Sequence, residues 1–329
     1  MRIGCLGAAK ITPQALIWPA KLRGGVVLQA VAARDPARAQ AFATTHDFVR
    51  AAPDYDALVN AADVDLVYNA LPINLHAQWS IRALEAGKHV LCEKPFAMNA
   101  GEARQVLDAA KSSGKRVIEA FHYRYHPNFQ QMLDLIAAGA IGEITGLTAN
   151  FNVPIKDRDG QEIRHLPETG GGSFMDLGCY PLSWVLMVMR RAPETVAAEA
   201  VLTARGVDES LTTRLDFGDG VVANLSTSMA LDAGFSAKLT IAGTRGAIAF
   251  VNPLAPQLGA SLSVISGERT TPITISPIAT YAYQLDAILT GLNTGEALPT
   301  EGEVILRQQE TLDRVYEAAD LRRLRYWTA

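Results

Sequence analysis

The alternation of short apolar runs with helical patterns over the first 120 residues constrains this fold more than any other feature. Residues 2–6, 26–33, 64–70, 89–91 and 116–121 are strand candidates, and helix candidates at 12–23, 37–44, 75–86 and 99–113 separate them. The last helix is the most clearly marked. Asn99 and Glu102 form a capping box, Ala103, Val106, Leu107 and Ala110 fall on one face, and Gly114 closes it. Strands alternating with helices at this spacing predict a doubly wound parallel sheet in an α/β domain.

The grammar changes after His126. A helix over 127–138, ended by Gly139, leads into a period-two run at 143–153. Further period-two runs follow at 196–204, 211–217, 221–228, 237–242, 247–251 and 262–266, joined by turns such as Phe217 to Gly220 and Gly243 to Gly246. This predicts a second, α+β domain built on a large, mainly antiparallel open sheet with one polar face. Helices near 281–292 and 303–321 end the chain. Two domains, 1–121 and 122–329, suit a length of 329 residues.

Apolar residues make up 49% and charged residues 19%, which excludes a disordered chain. A net charge of -4 without a basic cluster gives no sign of a nucleic-acid partner. The apolar run 180–189 is half the length of a membrane span. Residue 1 leads straight into the first strand with no leader pattern, so a cytoplasmic location is expected. Cys5, Cys92 and Cys179 are few and widely spaced, which suits reduced thiols.

The first strand runs into Gly7-Ala8-Ala9-Lys10-Ile11-Thr12. A dinucleotide loop wants three glycines at positions 7, 9 and 12; only Gly7 is present. Thr12 before Pro13 offers an N-cap and a first helical residue, so a helix N-terminus can still face phosphate. An ordinary strand-turn-helix is the alternative for this loop. The end of the second strand carries Ala33-Arg34, with Arg38 a turn later, where an NAD site would place a carboxylate. Two guanidinium groups suit a 2'-phosphate, which predicts NADP over NAD. Asp35 complicates this, because a slip of one residue would bring it to the ribose.

The run Cys92-Glu93-Lys94-Pro95-Phe96 places a lysine where an apolar strand ends, the position at which open parallel sheets bind ligands. Farther on, Asp176 and Tyr180 stand four residues apart behind the triplet Gly170-Gly171-Gly172 and share a helix face if a helix starts there. Glu119, His122 and His126 could be metal ligands, but Pro127 breaks a continuous helix across them and no third-ligand set is evident, so no metal is expected.

With these motifs in order, the chain resembles the glucose-fructose oxidoreductase / inositol dehydrogenase (Gfo/Idh/MocA) family over nearly its whole length. The resemblance implies an N-terminal Rossmann domain, a C-terminal domain whose sheet pairs subunits into a homodimer or homotetramer, and a nicotinamide-dependent oxidoreductase for sugars or polyols. It matches the family lysine to Lys94 and the family aspartate and its partner to Asp176 and Tyr180. Tyrosine in that place resembles the NADP-linked xylose dehydrogenase and dihydrodiol dehydrogenase branches. It further implies cofactor contacts from Leu71, Pro72, Asn74, His76, Glu93 and Arg124, and a substrate pocket shared by Tyr125 and His126. Trp18 resembles a substrate-side or cofactor-side aromatic, with packing as the alternative. Tyrosine is a poor base at its usual pKa near 10, and a neighbouring lysine would favour its charged form. The expected reaction is hydride transfer from an aldopyranose of the xylose or glucose type, giving a lactone. Ketone reduction, dihydrodiol oxidation and a non-enzymatic nucleotide sensor remain open.

Overall fold

The computed structural model describes residues 1–321. Six strands, β1 (Arg2–Leu6), β2 (Val27–Ala32), β3 (Arg50–Ala51), β4 (Leu66–Asn69), β5 (His89–Cys92) and β6 (Val117–Glu119), form one sheet in the order β3-β2-β1-β4-β5-β6. Every pair is parallel. This is the Rossmann strand order, with the reversal between β1 and β4. Connecting helices are α1 (Trp18–Arg23), α2 (Pro36–His46), α3 (Tyr55–Val59), α4 (His76–Glu85) and α5 (Ala100–Ser113). Because strand side chains alternate between faces, each sheet face has its own core. Val67, Val90 and Val117 pack with Ala83, Leu84 and Val106 on one side. Ile3, Val31, Leu66, Leu91 and Ile118 face Leu16 and Ala20 on the other.

The later part of the chain contributes α6 (Pro127–Ala137), β7 (Ile144–Asn152), α7 (Cys179–Met189), β8 (Thr195–Leu202), β9 (Asp208–Asp216), β10 (Val222–Ser228), β11 (Ser236–Gly243), β12 (Gly246–Val251), β13 (Ser261–Ser266) and β14 (Arg269–Ile273). Their sheet runs β14-β13-β12-β11-β7-β10-β9-β8, antiparallel except where β7 and β10 pair in parallel. Its inner face buries Leu147, Ala149, Leu225, Leu239, Ile241 and Phe250. Thr148, Asn224, Lys238 and Thr240 on the other face are exposed in the single chain. Two helices close the chain, α8 (Thr280–Thr294) and α9 (Glu303–Ala318).

The chain divides into two compact units: Met1–Tyr125 with Thr280–Leu306, and His126–Ala279 with the residues from Arg307 on. By compactness, Thr280–Leu306 groups with the first unit and not with the rest of 122–329. The reason is physical: Leu285, Ile288 and Leu289 of α8 complete the core on one face of the parallel sheet. The last eight residues of the expected second domain lie outside the described residues.

Candidate active site

Gly7 leaves β1 at φ 95°, and a Cβ there would stand 3.0 Å from the Ala70 carbonyl oxygen. Only glycine fits this approach without strain. Its amide donates to Ala32 O at 2.9 Å, fixing the turn against β2. Ala8 is buried, Ala9 and Ile11 are half-buried and Lys10 is exposed. Thr12 does not act as the expected cap. Its side chain is fully buried, makes no capping bond, and lies with Oγ1 3.9 Å from Cys5 Sγ. The helix begins instead as a π turn, Pro13–Ile17, before continuing as α1, where Trp18 is 61% exposed.

At the end of β2, Arg34 and Arg38 are both exposed, and Arg38 also donates from Nη2 to Ala8 O at 2.8 Å, against the Gly7 loop. Asp35 is the N-cap of α2, its Oδ1 accepting from the Ala37 amide at 2.9 Å. Its carboxylate is committed to the helix, so the strand end offers a guanidinium outward. Small residues at 7–9, a glycine-only approach and an exposed Arg34 fit a dinucleotide with a phosphorylated ribose.

The turn after β5 is held from both sides by buried carboxyls. Glu93 accepts from Tyr68 OH at 2.6 Å and, through Oε2, from the Lys94 amide at 3.3 Å. Glu119 on β6 accepts from the Phe96 amide at 3.1 Å. Burial raises the Glu119 carboxyl to about 8, with Glu93 adding to the rise and Lys94 opposing it. The Lys94 cation also disfavours charge on His76 and His122, two imidazoles that burial already holds down, to about 4 and about 3. Glu93 is 8% exposed and serves as a support for Lys94.

The Leu71 turn shows a similar economy. Leu71 is buried, Pro72 half-buried and Asn74 exposed. His76, expected at the cofactor, is buried, with Nε2 2.8 Å from Leu71 O and Nδ1 2.9 Å from Pro95 O. The ring lies between the Leu71 turn and the Lys94 turn, and as a neutral imidazole it donates to one of these two carbonyls at a time. Arg124 lies in the 3-10 turn His122–Tyr125. Tyr125, expected in the substrate pocket, binds Thr300 Oγ1 at 2.7 Å and packs against the core. His122 Nδ1 lies 2.7 Å from Thr280 Oγ1.

In the second unit, His126 is buried and caps α6, accepting at Nδ1 from the Asn128 amide at 3.3 Å. Sequence assigned this ring to a substrate pocket; in the structure its Nδ1 caps α6. The segment after the glycine triplet begins as a π turn, Phe174–Gly178, and continues as α7. Local π geometry recurs at functional positions in helices. Asp176 lies in the π turn and Tyr180 in the first turn of α7, where its buried ring meets Phe151 edge-on at 5.6 Å. Asp176 has a partner that sequence reading missed. Arg164 Nη1 stands 3.7 Å from Asp176 Oδ2 and its Nε is 2.8 Å from Glu162 Oε1. Arg164 lies between β7 and the glycine triplet, where no sequence motif marks it.

A parallel sheet in the Rossmann strand order with a glycine-only turn after β1 defines a dinucleotide-binding domain. Residues 1–121 match the model of the oxidoreductase family with an NAD-binding Rossmann fold, and residues 129–249 match the GFO/IDH/MocA C-terminal domain. The chain belongs to the Gfo/Idh/MocA oxidoreductase family. It is 31% identical to D-xylose 1-dehydrogenase (NADP(+)) 2 of Haloferax volcanii, covering 97% of this chain and 98% of that one. It is 33% identical to dTDP-3,4-didehydro-2,6-dideoxy-alpha-D-glucose 3-reductase of Streptomyces violaceoruber, over 98% and 96% of the two chains. The crystal structure of KijD10, a 3-ketoreductase from Actinomadura kijaniata in complex with NADP and TDP-benzene, superposes with a TM-score of 0.89 at 27% identity, covering 97% of each chain. Among the described residues no helix is long and apolar enough to cross a membrane.

Proposed function

We propose that this chain is an NADP-dependent dehydrogenase that oxidises an uncharged aldopyranose at the anomeric carbon. The observation that carries the cofactor preference is the end of β2, where Asp35 is spent as a helix cap and Arg34 is left exposed. The substrate class draws support from the class named for the xylose dehydrogenase relative. In the loop before the glycine triplet Arg164 is paired with Glu162 and Asp176, while Lys156 and Arg158 are exposed.

Bound nicotinamide supplies the hydride acceptor. Gly7, Ala8, Ala9, Arg34, Leu71 and Pro72 are the residues we assign to holding it. In this reading Tyr180 takes the proton of the anomeric hydroxyl as the C–H bond gives up hydride and the C=O bond of the lactone forms. Lys94 donates a hydrogen bond to the reacting oxygen as charge develops there. Asp176 orients the sugar through a neighbouring hydroxyl. The same groups run in reverse would reduce a ketone, the activity named for the 3-ketoreductase neighbours. We also propose that copies of the chain pair through the exposed face of the large sheet.

The test is absorbance at 340 nm with NADP or NAD and a panel of aldoses, polyols, dihydrodiols and nucleotide-linked sugars. NADP-linked reduction by an aldose is the expected result, and activity only with nucleotide-linked sugars overturns the substrate class. Arg34→Ala should raise the KM for NADP at least tenfold and leave that for NAD nearly unchanged. Equal effects on the two cofactors would remove the 2'-phosphate assignment.

A further inference from the structure

The start of the segment that carries Asp176 is capped by groups far away in sequence. Ser173 precedes the π turn but makes no capping bond to it. Asp208, at the first position of β9 and 1% exposed, does so instead. Its Oδ2 accepts from the Phe174 amide at 2.7 Å and from Ser173 Oγ at 2.9 Å. Its Oδ1 accepts from Tyr316 OH, on α9, at 2.9 Å. That same hydroxyl accepts from the Met175 amide at 3.0 Å. The next amide, Asp176 N, reaches Gly172 O at 3.1 Å.

The backbone is shaped to admit this cluster. Gly172 sits at φ 128°, and a Cβ on it would lie 2.2 Å from Asp208 Oδ1 and 2.9 Å from Tyr316 OH. The third glycine of the triplet thus makes room for a buried carboxylate and a phenol inside the protein. Burying a carboxylate is costly unless donors surround it. Three donors converge here, which is the arrangement of an anion at a helix N-terminus. The two amides held this way immediately precede Asp176.

We propose that Asp208 and Tyr316 are positioning residues for the reaction: by holding the Phe174 and Met175 amides they aim the Asp176 carboxylate. This rests on the assignment of Asp176 made above. Neither residue touches the reacting atoms; each acts through the backbone. Tyr316→Phe keeps the ring and its edge contact with Phe174, at 6.2 Å between centroids, but deletes the hydroxyl's bonds to Asp208 and to the Met175 amide. Asp208→Asn keeps one acceptor and turns the other into a donor.

The experiment combines steady-state kinetics with the aldose that reduces NADP fastest and a crystal structure of the Tyr316→Phe protein. Expected are a kcat at least tenfold lower in Tyr316→Phe, an NADP Kd within twofold of wild type, and a smaller kcat loss in Asp208→Asn. The double variant should fall below either single change, because Asp208 holds the Phe174 amide and Tyr316 the Met175 amide. In the crystal, the Asp176 carboxylate should move away from Arg164. A lowered Tm with unchanged kcat and an unmoved Asp176 would show a purely structural cluster and overturn the proposal. Lys94→Ala, run alongside, separates the two failures: if it stays active, the assignment of the site itself is wrong. The crystal structure reads the aim of Asp176 whichever substrate turns over.

Discussion

Lys94 owes its setting to buried neighbours in the fold. Glu93 and Glu119 hold the amides on either side of the turn, and the His76 ring lies beside the Pro95 carbonyl. Lys94→Ala should therefore cost catalysis and not architecture: kcat lower by roughly 10² to 10⁴, the range of general acid–base contributions, with NADP affinity kept. Normal turnover in that variant would end the mechanism. The same cluster makes stability depend on pH in two opposed ways. Buried His76 and His122 have folded pKa values depressed from 6.5 to about 4 and about 3. The unfolded chain binds more protons below 6.5, so their contribution is lost as pH falls through that window. Glu119 is raised from 4.5 to about 8, so the folded state keeps a proton that the unfolded chain releases. Its contribution is present at low pH and lost as pH rises towards 8. Above pH 6.5 only the Glu119 effect remains of these three, with a slope of up to about 1.4 kcal/mol per pH unit. Urea unfolding of Glu119→Gln between pH 6.5 and 8 should show a flatter decline than wild type. Equal slopes would mean that Glu119 does not hold the proton.

Elements with a long, regular pattern could be read from sequence, and short or strained ones could not. Helix α5 has a full apolar stripe and both caps. Asn99 accepts from the Glu102 amide at 2.7 Å and Gly114 closes the helix at φ 64°. One detail differs: Glu102 Oε2 reaches back to the Met98 amide at 3.0 Å. Asn99→Ala should cost ~1 kcal/mol, seen as a lower urea midpoint with kcat untouched. A change in kcat would mean that α5 communicates with the Lys94 turn. By contrast β3 has two residues, α3 five, and β14 carries Pro272 amid polar neighbours, so none offers a period to detect. The π turns at Pro13–Ile17 and Phe174–Gly178 escape for another reason. An extra residue in a helical turn leaves the composition unchanged and is decided by packing. The candidate site divides along the same line. Lys94 stands out because a strand end and a proline bracket it. Arg164, Asp208 and Tyr316 gain meaning only when loop, strand and helix converge on the π turn.

On the scale of the whole molecule, the chain returns to its first unit after completing most of the second, and sequence periodicity cannot express that return. Arg116, beside β6, fastens it. Its guanidinium binds Glu301 at 2.9 Å and 2.7 Å, Gly291 O at 2.6 Å and Glu296 O at 2.9 Å. The pair is mostly covered, with side chains 22% and 19% exposed. Glu301 Oε1 also accepts from the Leu298 amide at 2.8 Å, so one fork organises the whole connection between α8 and α9. Loss of one partner from a covered pair strands the other and costs ~3 kcal/mol. Arg116→Ala should lower the urea midpoint and increase proteolysis in residues 291–301, because Leu285, Ile288 and Leu289 are held in the sheet core by the helix this fork anchors. Arg116→Lys should recover only part of the loss, since one ammonium cannot reproduce a planar fork reaching two carboxylate oxygens and two carbonyls. Full recovery with lysine would show that charge alone secures the returning segment. Unchanged proteolysis in Arg116→Ala would place its anchorage in the α8 packing instead.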